Sequence, residues 1–318
     1  MAGGQERALR RRIRSVQATR KITKAMELIA ASQIVRALNR MTANRPYRAA
    51  MARIVTEAAK GDPVAAATLL GAPERRQKVA VMAIVGDRGL SGPYNSSVLR
   101  ATERLVAELE RESIEVRLFT VGKKAQSYMR FRGREVEHAV TGVSERPSFA
   151  DARAVASRVT LPFLSGEVDQ VLLVSTRYRS PGRQDVEVRQ LLPLPAPGHG
   201  AERAAGARGA GPDGGAPPRP EASGEGPRGY TEFEPEVRPL LAELAPRAVE
   251  AEVFTALLEG SASFFTAQQR AMASASDNAD ELIRTLSRIM NRARQDAITT
   301  EIMEIVGGAE ALRQSKGA

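Results

Sequence analysis

The segment Gly86-Asp87-Arg88-Gly89-Leu90-Ser91-Gly92 comes closest to a chemical motif in this chain. It follows the continuous apolar run from Val79 to Val85. Such a run reads as a strand buried on both faces of a parallel sheet. The loop after that strand is where a nucleotide phosphate sits in a dinucleotide-binding fold. Here the glycines recur every third residue instead of as G-x-G-x-x-G, and no Gly-Lys-Ser/Thr completes a phosphate loop. Asp87 would also set a negative charge where a pyrophosphate needs a positive one. The loop is therefore expected to be a structured turn and not a cofactor site. Cysteine is absent, which excludes thiolate nucleophiles, disulfides and Cys-based metal sites. The two histidines, His138 and His199, stand far apart and suit neither a triad nor a metal cluster. No acyl-transfer, phosphoryl-transfer or redox constellation is found, and the expected catalytic, cofactor and metal residues are none.

Charge is the stronger signal. The chain carries a net +10, and residues 1–60 alone hold fourteen Lys or Arg against three Glu. Between Arg7 and Lys24 there are eight basic residues and no acidic one. That asymmetry points to an acidic partner: nucleic acid, anionic lipid or an acidic protein surface. A basic coiled-coil nucleic-acid binder is the alternative reading. Against it, no aromatic residue interleaves the basic run for base stacking.

These residues need elements to position them. No Gly or Pro occurs from Gln5 to Arg45, nor from Ser261 to Val306. At about 1.5 Å per residue the two stretches predict helices of roughly 60 and 70 Å. Ile22, Met26, Ile29 and Ala37 recur at helical steps in the first, and Leu282, Leu286, Ile289, Ala293 and Ala297 in the second. The pattern predicts a thin, antiparallel coiled-coil seam between the two ends of the chain. Gly307-Gly308 reads as the cap that ends the second helix. Between the ends, apolar runs at 79–85, 116–121 and 171–174 alternate with the helical patterns Val98, Thr102, Leu105, Leu109 and Ala152, Val155, Val159. Alternation of this kind predicts βαβ units. Val186, Val188 and 190–192 add one more strand, at an edge. The fold class is thus α/β: a long antiparallel coiled coil of the terminal helices plus a central Rossmann-like parallel-sheet domain. The expected organisation is a helix over 1–60, a linker over 61–77, the α/β domain over 78–194, an insert over 195–229 and the second helix over 230–318. Ten Gly and seven Pro fill the insert, which predicts disorder.

Two runs carry a resemblance to a known family. Arg12-Ile13-Arg14-Ser15-Val16, Thr19, Lys21-Ile22-Thr23-Lys24-Ala25-Met26-Glu27 and Ala30-Ala31-Ser32 form the first. Asp277-Asn278-Ala279, Leu282-Ile283, Asn291, Ala293-Arg294-Gln295 and Ile298-Thr299-Thr300-Glu301-Ile302-Met303-Glu304 form the second. Together they resemble the two ends of the gamma subunit of F-type ATP synthases. Asp87-Arg88-Gly89-Leu90, Tyr94-Asn95 and Phe233-Glu234-Pro235 fit the middle of that family, so the resemblance spans nearly everything outside 195–229. The chain departs from the pattern at Pro93, Phe264, Gln268 and Thr300.

The resemblance implies a non-catalytic rotor shaft. It would couple proton-driven rotation of a membrane ring to conformational cycling of the beta catalytic sites for ATP synthesis. Its implied partners are three alpha and three beta subunits, an epsilon subunit and the membrane rotor ring. Its implied location is the cytoplasmic side of a bacterial cell membrane, as a peripheral protein held through the complex. Carried over residue by residue, the contacts with the surrounding subunits fall on Lys24, Met26, Glu27, Asn278, Arg294, Gln295, Thr299, Glu301 and Glu304. A contact at the foot falls on Glu234.

Overall fold

The computed structural model describes residues 2–61, 76–194 and 237–316. The expected linker for the most part, the Gly/Pro-rich insert and Glu234 lie outside the described residues. Five helices and five strands are seen among the described residues: α1 (Ala2–Gly61), β1 (Lys78–Ile84), α2 (Tyr94–Arg111), β2 (Glu115–Val121), α3 (Lys123–Phe131), β3 (His138–Val140), α4 (Phe149–Leu164), β4 (Gln170–Ser180), β5 (Arg183–Leu192) and α5 (Val237–Lys316). They divide into two compact units.

The larger unit, Val35–Gly89 with Pro93–Phe264, is built on a sheet of order β3-β2-β1-β4-β5. β1 pairs in parallel with β2 and β4, and β2 with β3. β5 runs antiparallel to β4, so the sheet is mixed and not wholly parallel, with β5 at the expected edge. Side chains alternate across a strand, and β1 shows what that does here. Val79 and Val81, with Val85 just beyond the strand, pack with Val98, Leu99 and Val106 of α2 and with Ala125 and Met129 of α3. Ala80, Met82 and Ile84 turn the other way, toward Ala152, Val155 and Val159 of α4, Met51 of α1, and Val249 and Leu257 of α5. Both faces are covered, and for that reason the β1 sequence has no polar alternation. In α5, every residue from 255 to 264 is buried.

Within this unit α1 and α5 run antiparallel. The Asn44 amide donates to Thr255 Oγ1 at 2.9 Å, and Arg48 forms a two-pronged pair with Glu252 at 2.7 and 3.2 Å. These contacts flank Pro46. They account for why α1 continues through a proline that removes one helical donor. Lower-numbered residues of α1 meet higher-numbered residues of α5.

The smaller unit comprises Met1–Ile34, Leu90–Gly92 and Phe265–Ala318. Here the same antiparallel pairing joins Thr23 to Ser276, hydroxyl to hydroxyl at 2.7 Å, and Arg20 to Asp280 at 2.5 Å. The seam lies one residue from its expected place. Thr23 and Ala30 are 9% and 0% exposed, whereas Ile22 and Ile29 are 61% and 59% exposed. On α5 the inward positions are Met272, Ser276, Ala279 and Leu286, while Leu282 and Ile289 face out. Leu286 and, on α1 in the larger unit, Ala37 at 6% exposure are inward as expected, and Met26, Ala293 and Ala297 are half-buried. Around Thr23, Ala30 and Ser276 small and hydroxyl side chains let two backbones approach closely, and Ile22, Ile29, Leu282 and Ile289 are left for the surface.

Gly307-Gly308 does not end α5, which continues to Lys316. Among the described residues, nothing outside the helix's own neighbouring backbone lies within 4 Å of a Cβ built on either glycine. Replacing both with alanine should therefore stabilise this end of the helix by about 1 kcal/mol per site. Amide exchange over 298–309 should slow; unchanged exchange would mean that helix propensity does not limit order there.

Candidate functional site

The loop after β1 is occupied by its own side chains. The Asp87 carboxylate accepts the Lys123 N–H at 3.0 Å, the Gly142 N–H at 2.9 Å, and the Ser144 N–H and Oγ–H at 3.3 and 2.7 Å. Partial burial opposes its charge, but the hydrogen bonds from Gly142, Ser144 and Lys123 outweigh that and hold the carboxyl below its ordinary range. Lys123 is the first residue of α3. A helix N-terminus offers unpaired N–H groups to anions, and here the anion is Asp87. Asn95 closes the turn from the other side, accepting from Gly86 N at 2.8 Å and donating to the Arg88 carbonyl at 2.9 Å. Phe264, at one of the departures from the family pattern, lies edge-on to Tyr94 with ring centroids 5.7 Å apart. A Cβ on Gly86 would meet its ring at 3.0 Å. The apparent phosphate loop is thus a packed joint.

The residues carried over from the family lie on the helix pair of the smaller unit. Lys24 is exposed and pairs with Glu27 of its own helix at 3.0 Å. Met26 and Glu27 are half-buried. Asn278 is exposed on α5, bracketed by the contacts of Ser276 and Asp280 with α1, so it is level with the turn just before Lys24. Arg294, Gln295, Thr299, Glu301 and Glu304 are all exposed further along α5. The Thr299 hydroxyl donates to the Gln295 carbonyl at 3.0 Å, and that of Thr300 to the Asp296 carbonyl at 2.9 Å. The first group comes together at one level. The second does not join it: the helical rise puts Glu301 about 35 Å from Asn278. The arrangement is a long surface and not a pocket.

Ile22, Leu28 and Ile29 of α1, and Leu282, Ile289, Ile298, Ile302, Met303, Ile305 and Val306 of α5, are exposed on the same helices. Scattered surface apolar residues are ordinary, but large ones repeated along one element mark an interaction surface. Of these, Ile22, Ile29, Leu282 and Ile289 were legible as helical periodicity, which cannot distinguish an inward seam from an outward one.

Antiparallel helices that leave Ile22, Ile29, Leu282 and Ile289 exposed, and an α/β unit whose sheet-end loop is filled by its own residues, define a class of protein that offers a helical surface to partners. The comparisons specify which one. A family model described as ATP synthase matches residues 5–312. The chain is 45% identical over 313 residues to the ATP synthase gamma chain of Parafrankia sp., covering 97% of this chain and 98% of that one. It is 42% identical to the gamma chain of Acidothermus cellulolyticus, covering 98% of each. The chain belongs to the ATP synthase gamma chain family.

Its fold is that of the central stalk. It matches a chain of the Euglena gracilis mitochondrial ATP synthase with a TM-score of 0.64 at 17% identity, over 99% of this chain and 97% of that one. A chain from the central stalk and c-ring of the Tetrahymena thermophila enzyme matches with a TM-score of 0.58 at 22% identity, over 80% and 99%. The alternative of a nucleic-acid binder finds no support in these matches.

Proposed function

We propose that this chain turns as the central shaft of the synthase and performs no bond chemistry itself. Three alpha and three beta subunits surround the helix pair. An epsilon subunit and the membrane rotor ring hold the other end, and the chain reaches the membrane through them. No described helix is long and apolar enough to cross a membrane. The carrying observation is the set of large apolar side chains left exposed on the helix pair, Ile22 and Ile29 on α1 and Leu282 and Ile289 on α5, together with Ile298, Ile302 and Ile305 in a stretch of α5, 298–309, that is exposed on every side. An asymmetric shaft of this kind presents a different face to each beta subunit as it turns. It shifts each site among conformations because its contacts favour one over another. Lys24, Met26, Glu27 and Asn278 act as one contact level, and Arg294, Gln295, Thr299, Glu301 and Glu304 as a second. The excess of cations from Arg7 to Lys24 suits acidic loops of the beta subunits.

The test is co-purification of tagged chain with alpha and beta subunits, with and without residues 290–318. The full chain should form a stable complex with ATPase activity, and the shortened one should lose several-fold in activity or assembly. A chain that purifies alone, or with nucleic acid that salt removes, would overturn the reading.

A further inference from the structure

We propose that Asp87 and the strap it holds, residues 142–147, form the joint through which force passes between the sheet and both long helices. The proposal rests on the shaft reading above. The strap leaves the sheet just after β3 and ends at Ser148, the N-cap of α4. Its near end is fixed to the sheet by Asp87, which follows β1 and binds Gly142 and both Ser144 donors while also capping α3 through Lys123. Its far end grips the helices. Ser261 Oγ of α5 donates to the Glu145 carbonyl at 2.7 Å. The Arg40 guanidinium of α1 donates to the Pro147 carbonyl. Arg88, next to Asp87, pairs with the Glu145 carboxylate at 2.9 Å and closes the ring of contacts.

The sheet also touches these helices through apolar side chains. Such contacts are non-directional and set no angle between the elements. Hydrogen bonds fail with small changes of angle and distance, so the strap resists the displacement that torque would impose. Asp87 is a positioning residue in this scheme, since it touches no substrate and acts through the strap. The role accounts for an acidic residue in a loop that otherwise looks made for phosphate.

The experiment uses the full synthase in sealed vesicles, with ATP hydrolysis and ATP-driven proton uptake measured together. Asp87→Asn keeps the size of the side chain but offers one acceptor oxygen to donors that now share two. Protons moved per ATP should fall several-fold, with hydrolysis near wild type. Ser261→Ala, which cuts only the strap-to-α5 bond, should shift the ratio the same way. The chain has no cysteine, so Ser261→Cys with Glu145→Cys can re-tie the strap to α5. In the Asp87→Asn background that disulfide, checked by gel shift, should restore the ratio under oxidising conditions. Unchanged proton uptake in Asp87→Asn and Ser261→Ala would overturn the joint, as would a loss that the formed disulfide does not repair. If the wild-type complex hydrolyses ATP without moving protons, the shaft reading itself fails and the joint fails with it.

Discussion

Replacing Gly122 with alanine is expected to destabilise the larger unit by roughly 3–6 kcal/mol, from backbone strain and overpacking combined. Gly122 caps the N-terminus of α3 with φ of +102°. That conformation is nearly closed to any residue with a Cβ. Space is the second obstacle. A Cβ there would lie 2.3 Å from the Val85 carbonyl oxygen and 3.0 Å from that of Gly86. Neither backbone can retreat easily. Val85 N donates to Val121 O at 2.9 Å, and Gly122 N donates to Val140 O at 2.8 Å, so the ends of three adjacent strands are tied at this point. Gly133 is the control: its φ is +68°, but nothing lies within 4 Å of its Cβ position. Gly133→Ala should cost only the local strain, about 1 kcal/mol. Denaturant unfolding of both variants decides the matter. Equal losses would show that crowding at the sheet end is not what reserves position 122 for glycine.

The sequence made β1 legible because it is a short apolar run, rich in β-branched residues, that is covered on both faces. β3 escaped notice, being three residues long with two of them exposed. One glycine signal misled at a helix end, and two prolines proved compatible with long helices. Pro46 and Pro246 lie inside helices, and Gly307-Gly308 does not stop α5. Local propensity is worth about 1 kcal/mol for glycine and about 3 for proline, and contacts such as Asn44–Thr255 and Arg48–Glu252 bracket the first of these breaks.

The one-residue error in the seam has a different cause. Hydrophobic periodicity reports the face a helix buries against anything, including molecules that are not part of the chain. In a self-contained coiled coil the largest apolar residues point inward. Here Thr23, Ala30 and Ser276 point inward and Ile22, Ile29 and Leu282 outward. The offset is what the proposed shaft requires, in which surrounding subunits would cover the residues left outward. The carried-over contact residues could not be ranked from sequence for a related reason. Exposed polar groups on a long helix look alike until the surrounding surface is known.

Breaking the buried pair Arg189–Glu259 from one side is expected to cost about 3–5 kcal/mol, and removing both charges to restore most of that loss. Arg189 lies on β5, where Asp185, Glu187 and Arg189 alternate with Val186 and Val188. Alternation on an edge strand suggests that the charges face water. Instead Val188 is 48% exposed, and the Arg189 side chain is only 16% exposed. The reason lies on α5, which carries Glu252 and Glu259 two helical turns apart. Arg189 stands 3.6 Å from Glu259 and 3.8 Å from Glu252, and donates to Ser175 Oγ at 3.1 Å. Its Nε and Nη1, and Oε2 of Glu259, make no hydrogen bond among the described residues. Attraction therefore offsets desolvation only in part. Burial pushes Glu259 above the usual carboxylate range and Arg189 below the usual guanidinium range, each opposed by the other's charge.

Arg189→Met strands Glu259, which must then take a proton or remain charged and unpaired. A carboxyl whose folded pKa is raised contributes stability below its unfolded value, and that contribution is lost as pH rises through the folded one. Arg189→Met should therefore lose stability increasingly as pH climbs above the ordinary glutamate range, and adding Glu259→Gln should flatten that slope. Arg189→Met with Glu259→Leu leaves Arg48 and Glu252 as a neutral two-pronged pair at 2.7 and 3.2 Å, with no orphan charge behind it. Unfolding midpoints of the two single variants and the double, each taken from pH 5 to 8, give the coupling directly. Additive losses, or Arg189→Met without a pH slope, would mean that the two charges ignore each other despite 3.6 Å of separation.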